Sequence, residues 1–280
     1  MRTIKARLIQ DTVSYLFLKA NTIIRPDIKK ALKKALKKEE KPLAKKALEM
    51  IIENADIAKR KKLPTCQDTG MPVVFCEIPQ DIRIEGGDLN SAIIKGTKES
   101  YKNNAFRNSI IEDPILRKGL HKYGPPIIHA KLTKNKKMKI TVLAKGFGSE
   151  NKNQMKMFNP TAEKKDIERF ILTCVTDAGP AACPPFILGI GIGGTSDKAN
   201  TLAKEAFLLP VGSSNTKKHI AQMERDILKK VNQLGIGPMG FGGKTTCLGV
   251  NILTYPTHIA GLPVAVNVGC HATRSASKSI

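Results

Sequence analysis

The sequence predicts an α/β (or α+β) protein: a helical N-terminal lobe over 1–62 followed by a mixed sheet with flanking helices over 63–280. Three observations predict it. Apolar residues in the first 60 positions recur at helical spacing, those beyond position 63 gather in short β-branched runs, and Gly-rich turns separate the runs. In the lobe, Ile9, Val13, Leu16, Phe17 and Ala20 share one helical face, and Ile28, Leu32 and Leu36 recur at every fourth position after a break at Pro26. A third helix starts near Pro42, with Ala44, Ala47, Leu48, Ile51, Ile52 and Ala55 on a broad apolar face. Its basic end, Lys59 to Lys62, suits the negative end of the helix dipole. Asp11 and the unbroken pattern into Phe17 favour a structural helix here over a transit peptide.

In the body, strands are expected at 73–75, 127–128, 140–143, 186–190, 248–253 and 264–268. Helices are expected at about 88–101, 163–174, 196–207 and 217–234. With no internal repeat, heptad array or low-complexity linker in view, the expectation is one compact unit carrying a helical lobe.

Composition narrows the function classes. The chain has 280 residues, 41% hydrophobic and 25% charged, which excludes disorder over the whole length. The apolar run at 186–190 falls far short of the ~20 residues of a membrane span, and no signal-peptide core is present, so a cytoplasmic protein is expected. In that compartment the six cysteines are ligands, reactive thiols or buried hydrophobes rather than disulfides. The net charge of +23 raises a competing reading, a basic nucleic-acid-associated protein. Its distribution argues against that. Residues 1–62 hold 18 basic and 7 acidic side chains, a net +11, so nearly half of the excess lies in the first quarter, and no Phe or Tyr alternates with the lysines to stack bases. A lysine-rich solvated surface, or attraction of a small anionic substrate, accounts for the charge better.

Two phosphate-binding motifs are approached and missed. Gly189-Ile190-Gly191-Ile192-Gly193-Gly194 has the GxGxxG spacing between a strand and a helix, but no acidic residue follows at the distance needed to hold a ribose. Gly243-Lys244-Thr245 resembles the end of a P-loop, yet Pro238 stands where the first Gly is required and supplies no amide hydrogen.

The cysteines divide into two sets. No Cys-x-x-Cys occurs, so a metal site would be assembled from distant segments. Cys66, Cys183 and Cys270 sit in loops with polar, Pro or Gly neighbours, whereas Cys76, Cys174 and Cys247 fall where a strand or a helix buries them.

Five segments, in order along the chain, carry a family resemblance. They are Pro64-Thr65-Cys66-Gln67-Asp68-Thr69-Gly70; Lys145-Gly146-Phe147-Gly148-Ser149-Glu150-Asn151; Ala182-Cys183-Pro184-Pro185 with Gly193-Gly194-Thr195; Gly240 to Thr246; and Tyr255-Pro256-Thr257-His258. Together they resemble the class I fumarase and L-tartrate dehydratase family in its α-subunit form, from about Leu63 to Arg274. The resemblance implies a hydro-lyase with a 4Fe-4S cluster whose ligands are Cys66, Cys183 and Cys270, one iron being left open for substrate. It further implies catalytic roles for Asp68 and His258, a carboxylate-binding role for Arg107, and substrate contacts at Gln67, Gly148, Asn151 and Lys152. Without the family, Asp68 reads as the cap of a turn before Gly70 and His258 as a satisfied loop histidine. Single-chain relatives continue into a second domain, whereas this sequence ends ten residues after Cys270. The resemblance therefore implies a separate β subunit carrying the catalytic base, and a higher oligomer. Fumarate hydration is the first expectation; L-tartrate dehydration and mesaconate hydration are the alternatives.

Overall fold

The computed structural model describes residues 2–119 and 122–280 and divides them into two compact units. The first comprises 1–25, 55–146 and 274–280; the second, 26–54 and 147–273. The helical residues of 1–62 are shared between the two units, 1–25 and 55–62 falling in the first and 26–54 in the second.

In the first unit, β1 (Arg2–Lys5) pairs in parallel with β3 (Ile82–Glu85). A four-stranded sheet is built around β2 (Met71–Pro79), which pairs in parallel with β4 (Ile127–Thr133) and antiparallel with β5 (Lys139–Lys145). β10 (Arg274–Ser279) adds antiparallel to β5. Helices α1 (Ala6–Thr22) and α4 (Leu89–Asn103) cover one face. Ile9, Val13, Leu16 and Phe17 of α1, all fully buried, meet Val74 and Cys76 of β2 and Ile140 and Val142 of β5. These helices approach closely because Gly96 has no side chain: a Cβ there would lie 2.3 Å from the Gln10 carbonyl oxygen.

α2 (Pro26–Lys38) belongs to the second unit, and α3 (Pro42–Lys61) spans the division after Asn54. The α2 stripe buries Ile28 and Leu32 while its lysines stay in solvent. The second sheet is built around β7 (Phe186–Ile192), parallel to β8 (Cys247–Thr254) and antiparallel to β9 (Leu262–Gly269). β6 (Gln154–Phe158) adds antiparallel to β9. Helices α6 (Lys164–Ala178) and α8 (Lys218–Gln233) enclose the main core with Phe186, Leu188 and Ile190. α7 (Ser196–Ala206) covers the opposite face.

The GxGxxG-like segment serves this last contact. Added Cβ atoms at Gly189 and Gly191 would lie 2.1 and 2.0 Å from the carbonyl oxygens of Ala203 and Ala199, so the glycines let α7 rest directly on β7. All expected strands and helices of the body are present. The short edge elements β1, β3, β6 and β10, and the single turn α5 (Phe147–Glu150), went unpredicted. Neither was it apparent that, without a sequence repeat, the two sheets share one pairing scheme: a central strand, a parallel neighbour, and two successive antiparallel strands on the other side. No described helix is long and apolar enough to cross a membrane.

Candidate active site

Antiparallel pairing brings the cysteines of the second unit together. Ile187 of β7 pairs with Gly269 of β9, so the loop entering β7 and the loop leaving β9 meet at one sheet edge. Cys183 ends the 3-10 turn Gly179–Ala182 in a left-handed conformation, φ 54°, with its N–H donating to Pro180 O. Its carbonyl accepts the His271 N–H at 3.3 Å and lies 3.0 Å from His271 Nδ1, which links the Cys183 loop to the residue after Cys270. The Cys270 carbonyl in turn accepts the N–H and hydroxyl of Thr273. The Gly-rich segment backs the same loop: Met239 N–H donates to Pro184 O, and a Cβ on Gly240 would strike the Pro180 ring. Lys244, the would-be P-loop lysine, pairs with Glu40, and its N–H donates to the buried Glu39 carboxylate. That amide is thus committed within the protein.

α5 places Gly148 beside Cys183, a Cβ there falling 3.8 Å from Ala181 O. Asn151 and Lys152 follow, their N–H groups closing the turn onto Phe147 and Ser149. Glu150 anchors this turn through a half-buried ion pair with Lys204 at 2.6 Å, and Asn153 fastens it to the Val268 N–H. His258 is exposed on the loop after β8. Its Nδ1 accepts from Ala260 N–H at 3.1 Å, so the neutral ring carries its proton on Nε2.

The first unit holds Cys66, half-buried, with Gln67 accepting from its thiol at 3.3 Å. Thr65 fixes the segment by donating its N–H and hydroxyl to Asn21 O, at 2.8 and 2.7 Å. Asp68 Oδ1 accepts from Gly70 N–H at 2.9 Å, the turn cap that the residues alone suggest. Tyr101 donates its hydroxyl to Thr69 O, and burial pushes its pKa up. The buried Thr69 hydroxyl is bracketed by the backbone of Arg107, which brings that exposed arginine next to the Asp68 segment. Gly70, φ 78°, lies against Ala144 and Lys145, where no Cβ would fit.

In the first unit Gln67 and Asp68 follow Cys66, and the backbone of Arg107 is bonded to Thr69 of the same segment. In the second, the turn that carries Gly148, Asn151 and Lys152 lies against the Gly179–Ala182 turn before Cys183, and His258 lies on its own loop. Sequence reasoning passed over the supports: Asn21, Tyr101, His271 and Arg274.

The donor set fits an iron–sulfur cluster. The three loop thiols are approachable, whereas Cys76, Cys174 and Cys247 are at most 2% exposed and burial pushes each up to about 12. Among the described residues no three His, Cys, Asp or Glu side chains are gathered to hold a metal ion. Approachable thiols are soft donors of the kind that iron–sulfur chemistry uses.

Residues 10–279 match the fumarate hydratase (Fumerase) family, so the chain belongs to that family of hydro-lyases. It is 38% identical over 278 residues to a protein described as L(+)-tartrate dehydratase subunit alpha from Methanocaldococcus jannaschii, covering 97% of each chain. It is 26% identical over 257 residues to the L(+)-tartrate dehydratase subunit alpha of Escherichia coli strain K12, covering 91% of this chain and 84% of that one. A Geobacillus stearothermophilus protein described as fumarate hydratase class I is 28% identical over 277 residues. The match covers 95% of this chain and about half, 54%, of that longer protein.

Proposed function

We propose that the chain is the α subunit of a cytoplasmic iron–sulfur hydro-lyase acting on a four-carbon dicarboxylate, with fumarate to malate as its first reaction and Cys66, Cys183 and Cys270 as cluster ligands. The observation that carries the reading is the division of the six cysteines into three buried, protonated thiols and three half-buried loop thiols inside the family's motifs. When bound, a 4Fe-4S cluster supplies an iron with no protein ligand, a Lewis acid toward the leaving hydroxyl.

The chain's own residues supply the rest. Asp68, held by the Gly70 N–H through one oxygen, would use the other to take a proton from the attacking water during hydration and to return it to the hydroxyl, which leaves as water, during dehydration. His258, with Nδ1 occupied by Ala260, offers Nε2 to relay that proton. The exposed Arg107 fork binds a substrate carboxylate in two-pronged fashion, while Gln67, Gly148, Asn151 and Lys152 orient the substrate. A separate β subunit supplies the base; the alpha-subunit names of two relatives and the half-length match to the Geobacillus protein support this. L-Tartrate is the second reading, favoured by the name of the 38% identical relative; mesaconate is the third.

The test is anaerobic reconstitution with iron and sulfide, alone and with a co-expressed β chain, assayed on fumarate, L-tartrate and mesaconate. The pair should turn over one of these, lose activity in air and regain it with ferrous iron and reductant, while the lone chain turns over negligibly. Full activity after iron chelation would remove the cluster reading; robust turnover by the lone chain would remove the β subunit.

A further inference from the structure

We propose that Arg274 is a positioning residue that holds both ends of the Cys66–Gln67–Asp68 segment, one end through Asn21 and Thr65 and the other across Gly146. The role assigned to Asp68 rests on the function proposed above; the geometry does not.

Arg274 opens β10 and is 2% exposed, an unusual place for a guanidinium unless its donors are used. Nη1 donates to Asn21 Oδ1 at 3.3 Å. Asn21, itself fully buried at the end of α1, is the residue whose carbonyl receives both the N–H and the hydroxyl of Thr65, next to Cys66. One prong of the fork therefore reaches the residue before Cys66 through Asn21, whose side chain bonds the guanidinium and whose carbonyl holds Thr65. The other prong has a different neighbour. The position a Cβ would take on Gly146 lies 3.2 Å from Arg274 Nη2 and 3.2 Å from Asp68 Oδ2. Arg274 Nη2 and Asp68 Oδ2 thus both border the space that a side chain at Gly146 would enter. Tyr101 registers both groups: after burial, which dominates, the Arg274 charge pulls its pKa down and the Asp68 charge pushes it up. Arg274 Nε, buried, has no partner. Carrying such a donor is destabilising, a cost that a residue selected for fold alone would shed by becoming Met or Leu.

Register explains the placement. Arg274 pairs with Ala144 on β5, and Met71 of β2 pairs with Lys145, so Arg274, Gly146 and the segment before Met71 collect at one end of the sheet. An arginine suits this point where a lysine does not. Its planar fork serves two directions at once, while an ammonium is a point charge on a flexible stem.

The test uses the full cluster-free chain, wild type and the variants Arg274→Met, Arg274→Lys and Gly146→Ala. Each is pulse-alkylated anaerobically with iodoacetamide near pH 8 and read cysteine by cysteine by peptide mass spectrometry. Arg274→Met should raise labelling of Cys66 about tenfold by local opening, with Cys183 and Cys270 unchanged, and Arg274→Lys should not restore the wild-type rate. Equal labelling of Cys66, a uniform rise at all three cysteines, or full restoration by Lys overturns the proposal. Gly146→Ala keeps the test open if Arg274→Met does not fold. Its Cβ enters the gap while the Asn21 arm stays intact, so Cys66 labelling should hold. In the reconstituted pair kcat should drop by about tenfold or more through misplacement of Asp68, with KM unchanged; wild-type kcat overturns the proposal. A wild-type pair inactive on every dicarboxylate would instead sink the function reading, leaving the labelling result to judge Arg274.

Discussion

The two units use one sheet design with different residues at the strand ends. In each, a loop cysteine precedes the central strand, Cys66 before β2 and Cys183 before β7, and the antiparallel neighbour delivers its C-terminal end to the same edge. In the second unit that neighbour ends in Gly269-Cys270, so the edge holds two thiols. In the first, β5 ends in Lys145-Gly146, and the edge holds one thiol, a carboxylate and a buried arginine. The comparison teaches that the two edges differ through the residues at the end of the antiparallel neighbour, not through the fold. Topology specifies where a site is; the residues at the strand ends specify what it does.

Removing a loop thiol should break the comparison most severely. Cys66→Ser, Cys183→Ser and Cys270→Ser should each abolish stable iron and sulfide incorporation on reconstitution, since hard oxygen is a poor substitute for thiolate at such a site. Cys76→Ala, Cys174→Ala and Cys247→Ala should incorporate both at the wild-type stoichiometry. Iron analysis and visible absorbance check this, and one loop serine variant retaining a full cluster would return that cysteine to the inert set.

The next effect separates the single-thiol edge from its two-thiol counterpart. Asp68→Asn should lower kcat of the reconstituted pair by about 10² to 10⁴, the range of a lost general acid or base, with cluster content intact. Lys152→Met, on the ligating unit, should act on KM. If Asp68→Asn instead lowers cluster content, Asp68 supports the Cys66 loop as a turn cap and nothing more.

How legible was all this in the sequence? Element types were legible wherever a helix or central strand buried a regular stripe, as in α1, α6 and β7. Edge strands β6 and β10 were not, because Gln154, Met155 and Lys156, or Ser277 and Lys278, alternate without a buried face to set the period. The division into units was hidden for a related reason: α3 runs through the boundary with no Gly or Pro to mark it. At the site, the cysteines and Asp68 stood out because loop chemistry is unusual against its neighbours. Asn21 and Tyr101 looked like ordinary stripe members of their helices, and only long-range pairing gives them partners.

Close backbone approach offers a sharper test of whether the sheets are built alike. Gly96 lets α4 meet α1 in the first unit, and Gly191 lets α7 meet β7 in the second. Each replaced by Ala should destabilise by about 1–3 kcal/mol, as overpacking does, in chemical unfolding of the cluster-free chain. Gly191→Ala should cost more, because its Cβ would lie 2.0 Å from one backbone atom and 2.7 Å from another, leaving no flexible side chain to give way. The reverse order would mean that α7 shifts along β7 more easily than α4 moves from α1.

The smallest effect concerns pH and the buried thiols, which both units contain. Burial pushes Cys76 in the first and Cys174 in the second up to about 12 from an ordinary 9.0. Between those values the unfolded chain has released the thiol proton and the folded chain has kept it. The unfolded state then binds fewer protons, so stability falls as pH rises above about 9 and is unaffected below it. Lysine deprotonation also acts in that window, so the informative quantity is the difference between wild type and a cysteine variant. Cys174→Ala should be less stable than wild type at pH 7, where it leaves a small cavity, and the gap should narrow steadily toward pH 10.5. Cys76→Ala should behave in the same way. Urea unfolding of the cluster-free chain at pH 7, 9 and 10.5 measures both. A gap at Cys174 that stays constant across that range would show that its thiol ionises as readily in the fold as outside it, and would weaken the division between inert and ligating cysteines on which the site assignment stands.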